Sequence, residues 1–344
     1  MDNKIRVVQC GLGPIGKEIT QYLLERDGVR IVGAIDSDPA KLGLDIGELA
    51  GSPVPYGVCI TDNPKTLFSK VDADIVVLTT TSSLENIKSQ IIEIVSFGIN
   101  IVSTCEELSH PWLTNPEIAD EIDVAAKMAD VSVLATGINP GFLMDFLPLA
   151  MTGICRNVNK VTVERIQNAQ FRRKSFQKKI GAGLTVEQFN DKVKEGTLRH
   201  VGLTESIHMI GHKIGWKLER TEDIISPIIA TDTSPERAVR YGRVVATTDL
   251  TIEPGKVRGI SQIGRGYVED KEVITLIFKA AIGEPDPHDR IIIEGTPDID
   301  MTIKDGINGD IATCAIAVNE IPTVIKAPAG LRTMSNTETI SYSS

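Results

Sequence analysis

The string VVQCGLGPIGKEI, residues 7–19, sets G-x-G-x-x-G at Gly11, Gly13 and Gly16, directly behind a β-branched run and ahead of a helical pattern. Each glycine has a separate reason to be there. The first permits the tight turn, the second lets backbone approach a pyrophosphate, and the third lets the helix lie close against the strand. Pro14 and Ile15 open that helix, whose first turn offers unpaired N–H groups and partial positive charge to an anion. Asp36 follows about 20 residues on, at the end of a second β-branched run, where an acidic side chain accepts hydrogen bonds from an adenosine ribose. A plain glycine turn requires neither the strand-to-helix context nor the acid. These residues therefore imply the ADP half of a nicotinamide dinucleotide. Asp36 favours NAD, while Ser37 and Lys41 beside it leave a 2′-phosphate, and so NADP, open.

The rest of the first half continues the same rhythm. Strand patterns at 5–8, 30–35, 75–78, 101–103 and 131–134 alternate with helical patterns at 15–24, 84–95 and 116–129. Alternation of this kind specifies an α/β fold with a Rossmann-type, doubly wound parallel sheet. Past GINPGFLMDFLP the pattern changes. Strands at 160–166 and 273–279 show more polar alternation and are interrupted by helices at 185–194 and 204–214, which suits an α+β domain with a partly exposed antiparallel sheet. We expect a dinucleotide-binding domain over 1–148, a substrate and dimerisation domain over 149–307, and a C-terminal helix within about 308–334, apolar at helical spacing over 310–325, packing back on the first domain.

Bulk properties exclude more than they identify. A net charge of −10 argues against nucleic acid or an anionic membrane as the main partner. No apolar run approaches the length of about 20 residues needed to span a bilayer, and MDNKIRVVQCGLG enters a strand pattern without a targeting segment. Cys10, Cys59, Cys105, Cys155 and Cys314 have no metal-ligand spacing, so reduced thiols in a cytoplasmic protein are expected. The polar tail at 335–344 reads as frayed.

Ligands of open α/β sheets sit beyond the carboxyl ends of the strands. Thr79 and Thr80 follow one such strand, Thr104 and Cys105 the next, and Asn139 lies in GINPGF. All are expected along the cofactor. After Cys105 come Glu106 and Glu107. A carboxylate beside a hydride-transfer centre costs desolvation unless the substrate passes through a cation, such as an iminium, whose charge it stabilises and whose proton it moves. Both glutamates also fit a bland role as helix-start caps. Neighbours leaving a strand point to different sides, so one glutamate is expected in the site, and Glu106 is nearer the strand end.

Other candidates are weaker. His110 is the histidine nearest this loop, and a surface position beside Pro111 is the plainer expectation. His208 and His212 are spaced i, i+4 without a third ligand, so no metal is expected. Arg172, Arg173, Lys174, Lys178 and Lys179 form a basic run that suits a carboxylate, a 2′-phosphate or a solvated face, and Gly181 and Gly183 offer a lid hinge. Phe142, Leu143, Phe146, Phe171 and Phe176 are candidate pocket walls.

Taken together, VVQCGLGPIG, STCEELSHPW, TGINPGFLMD, GAGLTVEQF, HVGLTESIHMIG and VNEIPTVIKAPAGL resemble the 2,4-diaminopentanoate dehydrogenases and the native amine dehydrogenases, which share a fold with dihydrodipicolinate reductase. The resemblance runs over nearly the whole chain. It implies NAD(P)-dependent oxidative deamination of an amine, or reductive amination of a ketone with ammonia. It also implies a homodimer formed through the second domain, and a catalytic glutamate at Glu106 or Glu107. The diaminopentanoate enzymes resemble one another in an S-P-F-G-P stretch where this chain has Gln170, Phe171, Arg172, Arg173, Lys174, Ser175 and Phe176. That difference points toward simpler ketones. The paired histidines, lysine and S-G-T of dihydrodipicolinate reductase are missing.

The leading expectation is thus an amine dehydrogenase using NAD or NADP, with a small ketone or amine and ammonia as partners. Alternatives are a 2,4-diaminopentanoate dehydrogenase proper, a sugar or alcohol oxidoreductase, and a dinucleotide-sensing binding protein. The sugar enzymes related to glucose-fructose oxidoreductase carry E-K-P after this strand, and here Glu107 and Leu108 stand where lysine and proline would.

Overall fold

The computed structural model describes residues 4–231, 239–240, 243–244 and 252–343, and of Phe171 and residues 239–240 and 243–244 the backbone alone. Two compact units divide the chain, Met1–Phe146 with Asn308–Ser344, and Leu147–Ile307. In chain order the first unit holds β1 (Ile5–Cys10), α1 (Pro14–Leu24), β2 (Val29–Ile35), α2 (Ile46–Ala50), β3 (Ile60–Thr61), α3 (Pro64–Phe68), β4 (Ile75–Leu78), α4 (Leu84–Val95), β5 (Asn100–Ser103), α5 (Pro116–Met128) and β6 (Ser132–Ala135). The helix α6 (Phe146–Thr152) follows. The second unit contributes β7 (Asn157–Asn168), α7 (Lys174–Lys179), α8 (Val186–Lys194), α9 (Leu203–Ile214), β8 (Arg220–Ile229), β9 (Val239–Arg240), β10 (Arg243–Val244), β11 (Val257–Val268), β12 (Lys271–Ala281), β13 (His288–Thr296) and β14 (Ile299–Lys304). The chain then rejoins the first unit as α10 (Gly309–Asn319), α11 (Ile321–Lys326) and β15 (Gly330–Arg332).

Among the described residues the first unit is a seven-stranded sheet in the order β15-β6-β5-β4-β1-β2-β3, parallel throughout. Its sequence signature is plain in β4, where all four apolar side chains are 0 % exposed because helices cover both faces. The helix α4 buries Leu84, Ile87, Ile91, Ile94 and Val95, a three-and-four spacing that makes one apolar stripe. That stripe packs with Val8, Val76, Leu78, Ile101, Ile122 and Val133 into one core cluster. Each such side chain contributes about 1.5–3 kcal/mol by leaving water.

Three expectations are corrected in this unit. Residues 310–325 form two helices rather than one, since Pro322 opens α11 and cannot continue the hydrogen bonding of α10. The strand β15 extends the sheet beside β6, which three residues, GLR, were too short to announce. The tail is anchored rather than frayed: the Arg26 guanidinium lies 4.1 Å over the Tyr342 ring and donates to the Ser343 carbonyl.

In the second unit β14-β13-β7-β12-β11-β8 form one sheet. The expected antiparallel sheet is mixed, because β7 and β12 run parallel while their outer neighbours are antiparallel. The helix α9 lies on one face, so close that a Cβ on Gly264 would stand 2.7 Å from Ile207 Cδ1. Its neighbour in sequence, Ile263, therefore faces the opposite side. No helix of the described residues is long and apolar enough to cross a membrane.

Between α10 and α11, Glu320 is 0 % exposed and neither carboxyl oxygen has a hydrogen-bond partner among the described residues. Burial pushes its pKa up to about 7. The folded chain therefore holds this proton more tightly than the unfolded chain, whose glutamate titrates near its ordinary value of 4.5. The resulting stabilisation is fully present below that value and is lost as pH rises through about 7. Urea denaturation at acid and alkaline pH should show wild type losing on the order of 3 kcal/mol relative to Glu320→Gln. Parallel pH dependence in the two proteins would refute this.

Candidate functional site

The candidate site of the first unit is built on the carboxyl ends of β1, β2, β4, β5 and β6. Gly11 leaves β1 with φ +88°, and a Cβ there would lie 2.8 Å from the Thr79 carbonyl carbon and oxygen. A Cβ on Gly16 would lie 1.9 Å from the Gly11 oxygen. These two glycines hold α1 against the strands. Gly13, the N-cap of α1, differs: nothing lies within 4 Å of its Cβ position. That open space, faced by the first-turn N–H groups of a helix beginning at Pro14 and Ile15, fits the pyrophosphate of a dinucleotide.

Asp36 closes the other side of this loop. Its Oδ2 accepts the Leu12 N–H at 2.6 Å and the Lys41 ammonium at 3.1 Å, and its Oδ1 accepts the Asp38 N–H at 2.8 Å. Burial pushes its pKa upward, but the N–H groups of Asp38 and Leu12 and the Lys41 ammonium outweigh it and hold the carboxyl below its ordinary value. Ser37 is exposed beside it.

Of the threonines expected along the cofactor, Thr79 and Thr80 are committed to the protein through their hydroxyls. Thr79 Oγ1 donates to the Gly11 carbonyl at 2.7 Å, and Thr80 Oγ1 donates to Gln90 at 2.9 Å. Thr104 continues β5, its N–H reaching the Leu78 carbonyl. Cys105 is 1 % exposed, its thiol raised above the ordinary range by burial, and it packs in the core. It presents no side chain to a ligand.

The acidic pair lies in a 3-10 turn, Glu106–Leu108, rather than on an extended strand end. The turn separates the two side chains. Glu107 Oε2 accepts the Leu84 N–H at 2.8 Å, at the first turn of α4. Glu107 thereby clips the β4–α4 loop to the β5 loop, the capping role open to both glutamates in the sequence. Glu106 is half-buried, and its carbonyl receives the Ser109 hydroxyl at 2.8 Å.

His110 is not on the loop surface: it is 3 % exposed and meets Trp112 edge-on at 5.3 Å. After β6 the chain passes a cis peptide between Asn139 and Pro140, where Asn139 is 8 % exposed. Asp145, 0 % exposed, then accepts the N–H groups of Gly141 at 2.8 Å and Phe146 at 2.6 Å. This loop brings the half-exposed rings of Phe142 and Phe146 to 5.7 Å, while Leu143 is fully buried beneath. Gln9 and Asp145 were missed in the sequence. Gln9 is 0 % exposed and donates to the Gly11 carbonyl and to Thr79 Oγ1. A lone amide within a buried strand ahead of G-x-G was the available signal.

In the second unit Phe176 packs on a core cluster, and the Arg172 guanidinium lies 4.1 Å over its ring. The Phe171 side chain lies outside the described residues. Gly181 is a packed turn rather than a hinge, since a Cβ there would lie 2.8 Å from Phe189. His208 is buried and bonded to Thr221, and burial lowers its pKa to about 4. His212 is exposed, and the described residues hold no group of three or more His, Cys, Asp or Glu side chains suited to a metal ion.

Comparison with known proteins agrees with this geometry. Residues 142–341 match the family model of the 2,4-diaminopentanoate dehydrogenase C-terminal domain, and residues 5–105 match that of the dihydrodipicolinate reductase N-terminus. The chain is 36% identical to a 2,4-diaminopentanoate dehydrogenase of Acetoanaerobium sticklandii, over 96% of this chain and 92% of that one. It is 23% identical to an amine dehydrogenase of Streptomyces virginiae, over 95% and 94% of the two chains. The structure of an amine dehydrogenase from Mycobacterium smegmatis superposes with TM-score 0.84 at 25% identity, covering 98% of this chain and 97% of that one.

The glycines give two opposite expectations. Gly13→Val should leave thermal stability near wild type while abolishing dinucleotide binding, because its side chain fills the open cradle. Gly16→Ala should lower stability by several kcal/mol, because its Cβ meets backbone and cannot be accommodated by a rotamer change. Thermal denaturation and equilibrium titration with NADH separate the two, and a stable, fully folded Gly16→Ala would contradict the packing.

Proposed function

Because the chain belongs to the 2,4-diaminopentanoate dehydrogenase family, we propose that it is an NAD(P)-dependent dehydrogenase acting on CH–NH2 groups. It interconverts an amine with a ketone and ammonia. The observation that carries the reading is the place of the acidic turn Glu106–Leu108 just beyond the carboxyl end of β5; Glu107 serves there by accepting the Leu84 N–H, and the chemistry is assigned to half-buried Glu106, the nearer of the two to the strand end.

When bound, the dinucleotide supplies the hydride for amination or accepts it for deamination. The chain does the rest. The glycine loop and the α1 N-terminus hold the pyrophosphate, and Asp36 takes the adenosine ribose. In deamination, loss of hydride from the carbon leaves an iminium, whose positive charge the Glu106 carboxylate stabilises. Water then adds to that carbon, and Glu106 takes its proton as the C–O bond forms. Returned to nitrogen, the proton allows ammonia to leave, and Glu106 takes the hydroxyl proton as the ketone carbonyl forms. Amination runs the same steps backward. Phe142 and Phe146 supply an apolar wall that limits water near the reacting carbon.

A narrower reading, that the amine is 2,4-diaminopentanoate itself, is favoured by the 36% identity to an enzyme of that name. A panel of simple ketones and amines, run against that diamino acid, discriminates. NADH oxidation that requires both ketone and ammonium supports the amine dehydrogenase reading. Ammonia-independent turnover would replace it with an alcohol oxidoreductase. Glu106→Gln should cut ammonia-dependent turnover by about 10²–10⁴. Glu107→Gln, whose amide oxygen still accepts the Leu84 N–H, should stay within about tenfold of wild type. Full activity in Glu106→Gln would end the assignment.

We further propose a homodimer formed through the second unit, and a surface of that unit supports it. Ile224, Ile263 and Ile277 stand opposite one another across β8, β11 and β12, on the sheet face away from α9, and Ile224 is 43% exposed. An isoleucine row in a half-exposed sheet is a surface that a second copy buries. Sedimentation should show a dimer that Ile263→Asp converts to a folded monomer. A monomeric wild type would remove the proposal.

A further inference from the structure

Residues 136–145 run from β6 to α6 without strand or helix, and all of them are buried except Phe142. Buried backbone outside regular structure has to find its partners elsewhere. The Leu143 N–H donates to the Ile138 carbonyl at 2.8 Å, and a Cβ on Gly141, where φ is +126°, would lie 2.4 Å from the Gly137 nitrogen. The segment is therefore folded tightly on itself. Asp145 takes the Gly141 and Phe146 N–H groups at its far end. At its near end the Ile138 N–H donates to Thr313 Oγ1, on α10, at 3.3 Å. Ile138 thus has both backbone groups engaged, one by Thr313 and one by Leu143, the neighbour of Phe142.

Thr313 spends its hydroxyl in an uncommon way for a helical threonine. Inside a helix this group often turns back to the carbonyl one turn earlier. Here, among the described residues, it bonds the Ile138 N–H instead. Its methyl lies by Gly137, where a Cβ would stand 3.5 Å from Thr313 Cγ2. The next residue, Cys314, is 0 % exposed, and its thiol reaches the Ile15 carbonyl at 3.7 Å in the first turn of α1. Successive positions of α10 therefore serve different parts, Cys314 the helix behind the glycine loop and Thr313 the loop that carries Phe142.

We propose that Thr313 is a positioning residue for the reaction: together with Asp145 it fixes the loop that sets the Phe142 ring as an apolar wall for the substrate. Held in this way, the ring is in place before a ketone arrives, and little ordering is left to oppose binding. Without the Thr313 oxygen the buried Ile138 N–H loses its partner, the loop gains freedom, and ordering it again opposes substrate binding. The dinucleotide, held at the glycine loop, is spared. The substrate side of this role rests on the proposed dehydrogenase reading, and the geometry of the loop does not.

Thr313→Val replaces the hydroxyl with a methyl of similar size, and Thr313→Ser keeps the hydroxyl. Deuterium exchange over residues 137–146 should be faster than wild type in Thr313→Val and at the wild-type rate in Thr313→Ser. With the ketone that wild type turns over fastest in the presence of ammonium, Thr313→Val should raise KM by about five- to tenfold. Its NADH dissociation constant should be unchanged, and Thr313→Ser should return the KM. In a Phe142→Ala background the same substitution should change KM by less than about twofold, because the ring it positions is gone. A threonine with a structural role alone would lower thermal stability and leave KM where it is. Unchanged exchange or an unchanged ketone KM in Thr313→Val would overturn the role of Thr313, as would failure of both Thr313→Val and Thr313→Ala to fold. Wild type without ammonia-dependent turnover would overturn the dehydrogenase reading, and the exchange rates would still decide whether Thr313 holds the loop.

Discussion

The Gly11 carbonyl oxygen is where strand, helix and neighbouring strand meet. It receives Gln9 Nε2 at 2.9 Å and Thr79 Oγ1 at 2.7 Å, and it lies 1.9 Å from where a Cβ on Gly16 would stand. A hydroxyl and an amide thus satisfy a carbonyl that the approach of α1 takes away from water. With that oxygen fixed, the Leu12 N–H points at Asp36, the N-terminus of α1 opens at Gly13, and the ends of β1 and β4 are locked together. The open cradle at the start of α1 is therefore a consequence of close packing at two glycines and of openness at the third.

One strand over, the same economy of backbone groups separates two identical side chains. Had residues 106 and 107 continued β5 as extended chain, alternation alone would have parted them. The 3-10 turn places Glu107 against α4 instead, and the Leu84 N–H fixes its carboxylate at a helix start where negative charge is stabilised. The charge of Glu107 is thereby stabilised at the start of α4.

Most of the first unit was legible because its signals are local and redundant. The apolar run of β4, the stripe of α4 and the G-x-G-x-x-G turn each announce themselves within about a dozen residues. What stayed hidden depends on distant partners. β15 is three residues whose strand character comes from lying beside β6. The parallel pairing of β7 with β12 joins segments more than a hundred residues apart, beyond any periodicity. His110 reads as a loop residue until Trp112 and the surrounding chain bury it. Among candidate site residues, the strand-to-helix turn of the glycines and the place of Asp36 at the end of β2 were readable from spacing. Gln9 and Asp145 were not, because each acts by holding backbone N–H or C=O groups that only the folded loops bring within reach.

The second unit shows the same dependence at higher cost. Arg165 and Asp289 are 1 % exposed and pair at 3.1 Å between β7 and β13. Burial drives both toward neutrality, lowering the Arg165 pKa to about 10 and raising that of Asp289 above its ordinary value. An apolar pair of similar volume would avoid that desolvation. It could not, however, do what these two side chains do next. Asp289 Oδ2 accepts the Ile307 N–H at 2.7 Å, and Arg165 donates to the Ile307 carbonyl at 3.1 Å. Both polar groups of the last residue of the unit are thus met by a buried pair rather than by a further strand. The charge is retained where it fixes the exit of the chain from the second unit.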